Sequence, residues 1–315
     1  MLRAVVALWF VAELSGQDAT GLPSLERPWD WPVLYSNPDS TSLQEIALQG
    51  RFQMQWADAT AGDINYGSAN APDFTTWDDL EVRRWRLGAR LRFLKEFTLD
   101  GHINLRPDLD PAYLATYDLQ LTWSRDPSFA LVLGKTKVPY TQEYAISSAR
   151  IATFERSLLV NQVITTPLTG ATAFGQIDHW RYRCGIYAND PQPLGEFSRL
   201  NAGVAFVGKL AHDFGPALGL RRAWLGIDMF LHSEPPTNGQ PAYTRSATLT
   251  AECEHGRFGW LSDVLWSGGK GIDNLGLTLL PTWRIAADWQ IAFRYHVAFS
   301  RGGDGLAPPI RYDRF

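Results

Sequence analysis

The sequence predicts an all-β fold, a transmembrane antiparallel β-barrel, and three observations carry that expectation. Residues 81–95 (EVRRWRLGARLRFLK) set Arg84, Arg86, Arg90 and Arg92 on one face of an extended strand and Trp85, Leu87, Ala89, Leu91 and Phe93 on the other. The same two-residue alternation recurs along the chain, the signature of a sheet wet on one side. Short and long connections also largely alternate, as tight periplasmic hairpins and freely growing external loops do in a membrane barrel. The Greek-key crossovers of a sandwich would break that rhythm.

Composition is compatible with such a barrel. A mean hydropathy of -0.19 over 315 residues leaves no apolar run long enough for a helical span. A barrel strand needs only about ten residues, half of them polar. With a net charge of -4 there is no broad positive field, which argues against nucleic acid as a partner and requires any anion preference to come from local placement. Cys184 and Cys253 are too few for a disulfide scaffold and fall on the apolar phase, as buried or lipid-facing thiols.

Taken in order, residues 1–17 (MLRAVVALWFVAELSGQ) join Arg3 to an apolar stretch and to small Ser15 and Gly16. They read as a secretory signal, the alternative being an amphipathic or buried terminal helix. Residues 18–43, rich in Pro, Asp and Ser, read as an irregular periplasmic leader, and residues 44–315 as the barrel. Its first segment, 45–57, puts Ile46, Leu48, Phe52, Met54 and Trp56 outward and Gln49, Arg51, Gln53 and Gln55 inward. The arginine segment 81–95 follows. In 97–105, Phe97, Leu99, Ile103 and Leu105 oppose Asp100, His102 and Asn104. In 113–123, Tyr113, Ala115, Tyr117, Leu119, Leu121 and Trp123 oppose Thr116, Asp118, Gln120 and Thr122. Further segments are expected near 129–135, 170–177, 179–188, 199–210, 222–232, 244–254, 257–266, 274–284 and 288–299. The last sets Trp289, Ile291, Phe293, Tyr295, Val297 and Phe299 against Gln290, Arg294 and His296. Thirteen strands result, with the start of another at Ile310–Phe315.

Two features of this layout point to chemistry. Arg51, Arg84, Arg86, Arg90 and Arg92 form a basic stripe, Arg181 and Arg183 a second, and Arg294 stands on the inward phase of the last full segment. Arginines inside a lumen replace part of an anion's hydration with bidentate, charge-assisted hydrogen bonds, and several in series let the anion move on. The alternative is that they pair with Asp100, Asp118, Asp228, Glu252 and Glu254 and brace a general diffusion pore. The long link 136–169 is the second feature. Lys135, Lys137, Arg150 and Arg156 there face Glu143 and Glu155 among apolar Val138, Ile146, Ile151, Phe154, Leu158 and Leu159. So apolar a loop is expected to fold into the lumen and narrow it.

The segment GKTKVPYTQEYAISSARIATFERSL, residues 134–158, resembles the constriction-loop region of the phosphate-selective porins O and P. The resemblance is carried by Gly134, Lys135, Lys137, Pro139, Tyr140, Thr153, Phe154, Glu155, Arg156 and Ser157. It extends to the arginine strand and to YHVAFSRGGDGL, residues 295–306. It implies a sixteen-stranded, trimeric barrel of porin type in the outer membrane of a Gram-negative-type bacterium, in contact with membrane lipid and lipopolysaccharide. It also implies passive diffusion of small inorganic anions, phosphate or polyphosphate, through a basic constriction. On that basis the anion pathway is expected along Arg51, Arg84, Arg86, Arg90, Arg92, Lys135, Lys137, Arg150, Arg156, Arg181, Arg183 and Arg294, and the constriction loop at Pro139, Tyr140, Glu143, Phe154, Glu155 and Ser157. The chain departs from the family pattern in its few lysines, its acidic inward positions and its strand count, which falls two or three strands short of closure.

The rival readings are weaker. No HExxH, P-loop or GxSxG stretch is present, and the six histidines lack ligand or nucleophile spacing, so neither an enzyme nor a bound cofactor is expected. In a secreted carbohydrate-binding sandwich, Trp85, Trp123, Trp260, Trp266 and Trp289 would stack on sugars. They fall mostly near strand ends on the apolar phase, as lipid-interface girdles do.

Overall fold

The computed structural model describes residues 10–14, 33–60, 76–146, 151–153, 156–157, 160, 163, 167–189, 197–198, 203–233, 243–269, 271–286, 289–302 and 311–314. They form one antiparallel sheet: β1 (Phe10–Leu14), β2 (Val33–Ser36), β3 (Leu43–Thr60), β4 (Thr76–Phe93), β5 (Phe97–Leu105), β6 (Tyr113–Asp126), β7 (Phe129–Thr136), β8 (Leu168–Ile177), β9 (Trp180–Ala188), β10 (Val204–Asp213), β11 (Arg222–His232), β12 (Arg245–His255), β13 (Phe258–Gly269), β14 (Ile272–Ala286), β15 (Trp289–Ala292), β16 (Tyr295–Gly302) and β17 (Arg311–Arg314). Among the described residues its connections carry the single-turn helices α1 (Gln142–Ala145) after β7 and α2 (Gly215–Leu218) after β10.

From β3 to β14 each strand pairs with the next, an up-and-down meander without crossovers. Both β15 and β16 pair with β14, and β17 pairs with β16. At the other edge β1 and β2 take opposite halves of β3. No register joins β17 to β2 among the described residues.

The sheet is inside out by the standard of a water-soluble protein. Along β11, Leu225, Ile227, Met229 and Leu231 are exposed, while Asp228 between them is 0% exposed. The neighbouring strands repeat the inversion, with Leu210, Leu249, Val264 and Leu275 outside and Thr248, Thr250, Asp263 and Thr278 inside. Water would penalise that outer surface, whereas a hydrocarbon layer solvates it. The tight-turn end carries a belt of aromatic residues: Phe93 stacked on Phe97, Trp123 against Phe129, Trp180, Phe214, Phe258 beside Trp283, and Trp289. Such rings settle at a membrane interface, where one side is apolar and the other wet. Both cysteines are free, and Cys184 is exposed on the outer surface.

Most predicted strands appear within a few residues of their expected limits. Four differences have local causes. Residues 33–36, expected to be irregular, add β2 to the edge of β3. The connection expected to be long at 267–273 is a tight turn, since β13 ends at Gly269 and β14 starts at Ile272. The expected strand 288–299 breaks into β15 and β16 because it lies opposite Pro281, whose carbonyl accepts from the Phe293 N–H but which has no N–H to return. In β6 the register passes from His102–Asp118 to Ile103–Thr116, leaving Tyr117 as an extra, bulged residue.

Gly134 shows how tightly the wall is built where the inward segment departs. Its φ of 128° is one that L side chains rarely adopt, and a Cβ there would sit 2.2 Å from the Leu119 carbonyl oxygen. Gly134→Ala is therefore expected to cost about 1–3 kcal/mol from backbone conformation alone. The midpoint of urea unfolding in detergent reads this cost, and an unshifted midpoint would contradict it.

Candidate functional site: a cationic constriction

Beyond β7 the chain turns into the space that the sheet encloses. Val138, Tyr140 and Thr141 are 0% exposed, and Tyr144, Val160 and Val163 are also buried. Thr141 caps α1: its Oγ1 accepts from the Tyr144 N–H at 3.0 Å, and its φ of 54° marks strained backbone.

One side of the segment is fastened to β10, β11 and β12. The Thr248 hydroxyl donates to the Tyr140 hydroxyl at 2.9 Å, and the Tyr140 ring packs 5.5 Å from that of Phe230. Gln142 donates to Glu252 at 3.0 Å and accepts from Lys209 Nζ at 3.0 Å, and Lys209 also pairs with buried Asp228 at 3.2 Å. The Glu143 carboxylate, 2% exposed as a residue, accepts from the Ser157 N–H and pairs with Arg294 Nη1 at 2.8 Å. That ion pair joins residues 151 positions apart, from the inward segment to the break between β15 and β16.

The opposite side of the segment is cationic. Lys137 Nζ donates to the Ile146 carbonyl at 2.9 Å and lies 4.4 Å from the Tyr144 ring centroid. The Arg156 guanidinium covers the same ring at 5.1 Å and donates to the Glu143 and Ile146 carbonyls. Within electrostatic reach of Lys137 are Arg51, Arg84 and Arg86 on β3 and β4. Arg84 donates to the Gln53 amide oxygen and Arg86 to that of Asn104, both at 2.8 Å. Arg86 also stacks on Tyr117 at 3.5 Å. Five cations therefore crowd one region, and Arg86 and Lys137 make their contacts with amide or carbonyl oxygens and ring faces. Burial, and then the neighbouring arginines, pull the Lys137 ammonium down to about 6.

The remaining residues expected on the pathway divide. Arg90 is salt-bridged to Asp100 at 2.8 Å, and Arg92 lies 3.6 Å from Glu45 with half its side chain exposed. Lys135 is 3% exposed, with Nζ on the Thr116 carbonyl. Arg181 and Arg183 on β9 lie apart from the five-cation group, against Trp224 and Phe174. Arg150, Phe154 and Glu155 lie outside the described residues. Pro139 is buried at the turn into the segment. Tyr117 was placed on the outer face by alternation, but the bulge turns its ring to Arg86. Tyr144, the ring shared by two cations, carries no signal in the sequence beyond its place in the loop.

An antiparallel sheet with an apolar outside and a polar inside defines a membrane-pore barrel. A profile of the family Phosphate-selective porin O and P matches residues 48–228, more than half of the chain. The chain belongs to that family, a family of outer-membrane channels. No curated protein sequence matches the chain.

Proposed function

We propose that the protein forms a water-filled outer-membrane channel for passive diffusion of small anions, with phosphate or polyphosphate as its substrate. One observation supports this above the others: Arg86 and Lys137 face the same crowded cationic region and make their contacts with neutral groups. Burial and the crowded arginines hold Lys137 partly neutral in the empty pore, and an entering anion relieves the repulsion, restoring its charge while accepting the in-plane N–H groups of Arg86. Carbonyl and ring contacts hold each cation in place without cancelling its charge. In this reading Arg51, Arg84 and Arg156 complete the filter, and the trimer and its lipopolysaccharide contacts follow the family. Size-exclusion chromatography with light scattering reads the trimer.

The reading is tested by the reversal potential across a planar bilayer under a salt gradient, with phosphate then titrated in. An anion-side potential and phosphate block are expected. A potential near zero without block would favour a general diffusion porin, for which the Arg90–Asp100 pair already offers the bracing contact.

Acidity supplies a second test. Because the Lys137 pKa is held near 6, its ammonium is charged below that pH and largely neutral above it in the empty pore. Anion preference measured with sulfate, whose charge is constant across the range, is expected to rise as pH falls from 8 to 5. Lys137→Gln is expected to flatten that rise, and an equally steep rise in the variant would assign it elsewhere.

A further inference from the structure

A second cationic space lies on the other side of α1. It is a cavity of about 470 Å³ between α1 and the wall made by β8, β9 and β10. Arg181, Arg183 and Lys209 line it with Phe174, Tyr182 and Gln176, and no carboxylate is among its described lining residues. Lys209 is committed to Asp228 and Gln142. The arginines differ. Arg181 sits 3.8 Å from the Trp224 ring centroid and Arg183 5.2 Å from that of Phe174. Among the described residues neither has a hydrogen-bond or ion-pair partner.

We propose that this cavity is a binding site for a planar organic anion, an aromatic ring carrying one phosphate or carboxylate. This rests on the anion-channel reading and adds a substrate class to it. A guanidinium held against a ring spends its face on that contact and keeps its in-plane N–H fork for an anion. Two such forks stand on one face of β9, two residues apart, over a floor that includes the Phe174 ring. A tetrahedral inorganic anion would satisfy the forks and leave most of the cavity to water, since a water molecule takes up about 30 Å³ in the liquid. The volume falls within the usual range for small-molecule sites, about 300–1,000 Å³. A ring attached to the anionic group would fill that volume and gain contact with the half-buried rings of Phe174 and Tyr182 that line it.

The test is current block in reconstituted full-length channels by 4-nitrophenyl phosphate against inorganic phosphate, and by benzoate against acetate. The ring-bearing member of each pair is expected to block at about tenfold lower concentration. Arg181→Ala with Arg183→Ala is expected to remove that advantage and leave inorganic phosphate block at the five-cation group intact. Phe174→Leu, which keeps both charges, is expected to reduce the advantage alone, so the proposal stays testable if the double variant does not fold. An advantage confined to the phosphate pair would restrict the site to phosphate esters. Equal block within both pairs, or an advantage untouched by either variant, would overturn the site while phosphate block and anion-side potential stood. Absence of any anion block would overturn both readings.

Discussion

Replacing Arg86 and Lys137 together with alanine is expected, at pH 5 where Lys137 is charged, to weaken phosphate block by at least about a hundredfold and to move the reversal potential toward zero. A hydrogen bond to a charged group is worth about 1.5–3 kcal/mol, so losing two costs about 3–6 kcal/mol, or two to four powers of ten in affinity. The effect is large because the lost charges face neutral partners, Asn104 and the Ile146 carbonyl. No carboxylate is stranded by removing them. Arg92→Ala is the matched control: its guanidinium is half exposed and 3.6 Å from Glu45, and exposed pairs are worth about 0–1 kcal/mol. A double variant with unchanged block and potential would place the filter elsewhere in the lumen.

Glu143→Ala is expected to have the largest effect on stability, about 3–5 kcal/mol, because it breaks a buried ion pair with Arg294 and frees the Ser157 backbone. Glu143 is buried and Arg294 nearly so, so water can replace the lost partner only by entering the segment's packing. The same change is expected to raise single-channel conductance, since Ser157 loses its carboxylate acceptor on α1 and only the Arg156 bonds to the Glu143 and Ile146 carbonyls still tie that stretch down. Glu143→Gln keeps an acceptor for Ser157 but loses the charge, and is expected to fall between the two. Unfolding midpoints in detergent and conductance histograms read the two effects separately. A conductance that stays constant while the midpoint falls would mean that the Tyr140–Thr248 and Gln142 contacts, with Arg156 on the Glu143 and Ile146 carbonyls, keep the segment in place.

The strands were legible because alternation is a local property. Leu225, Ile227, Met229 and Leu231 face outward whatever their neighbours do, since only lipid can solvate that row. The burial of Val138, Tyr140 and Tyr144 has a related reason: apolar residues at loop length do not stay in water. The charge pattern also singled out Arg84 and Arg86, and the family motif singled out Lys137 and Arg156. Which of the basic residues are neutralised was not legible. The alternation that makes a ladder of Arg84, Arg86, Arg90 and Arg92 says nothing of Asp100, which meets Arg90 only through the register of β4 on β5.

The sequence by itself thus determined an all-β membrane barrel, its strand limits to within a few residues, and the basic residues of its longest link. The tertiary structure decided the rest: Tyr117 in the lumen through a bulge, Tyr144 between Lys137 and Arg156, and Glu143 on Arg294 across 151 residues. Periodicity is written in neighbouring residues, where each side chain chooses lipid or lumen. A charge's partner is set by strand register and by the curl of the sheet around the buried segment. Those depend on every strand between the two residues and are encoded in neither alone.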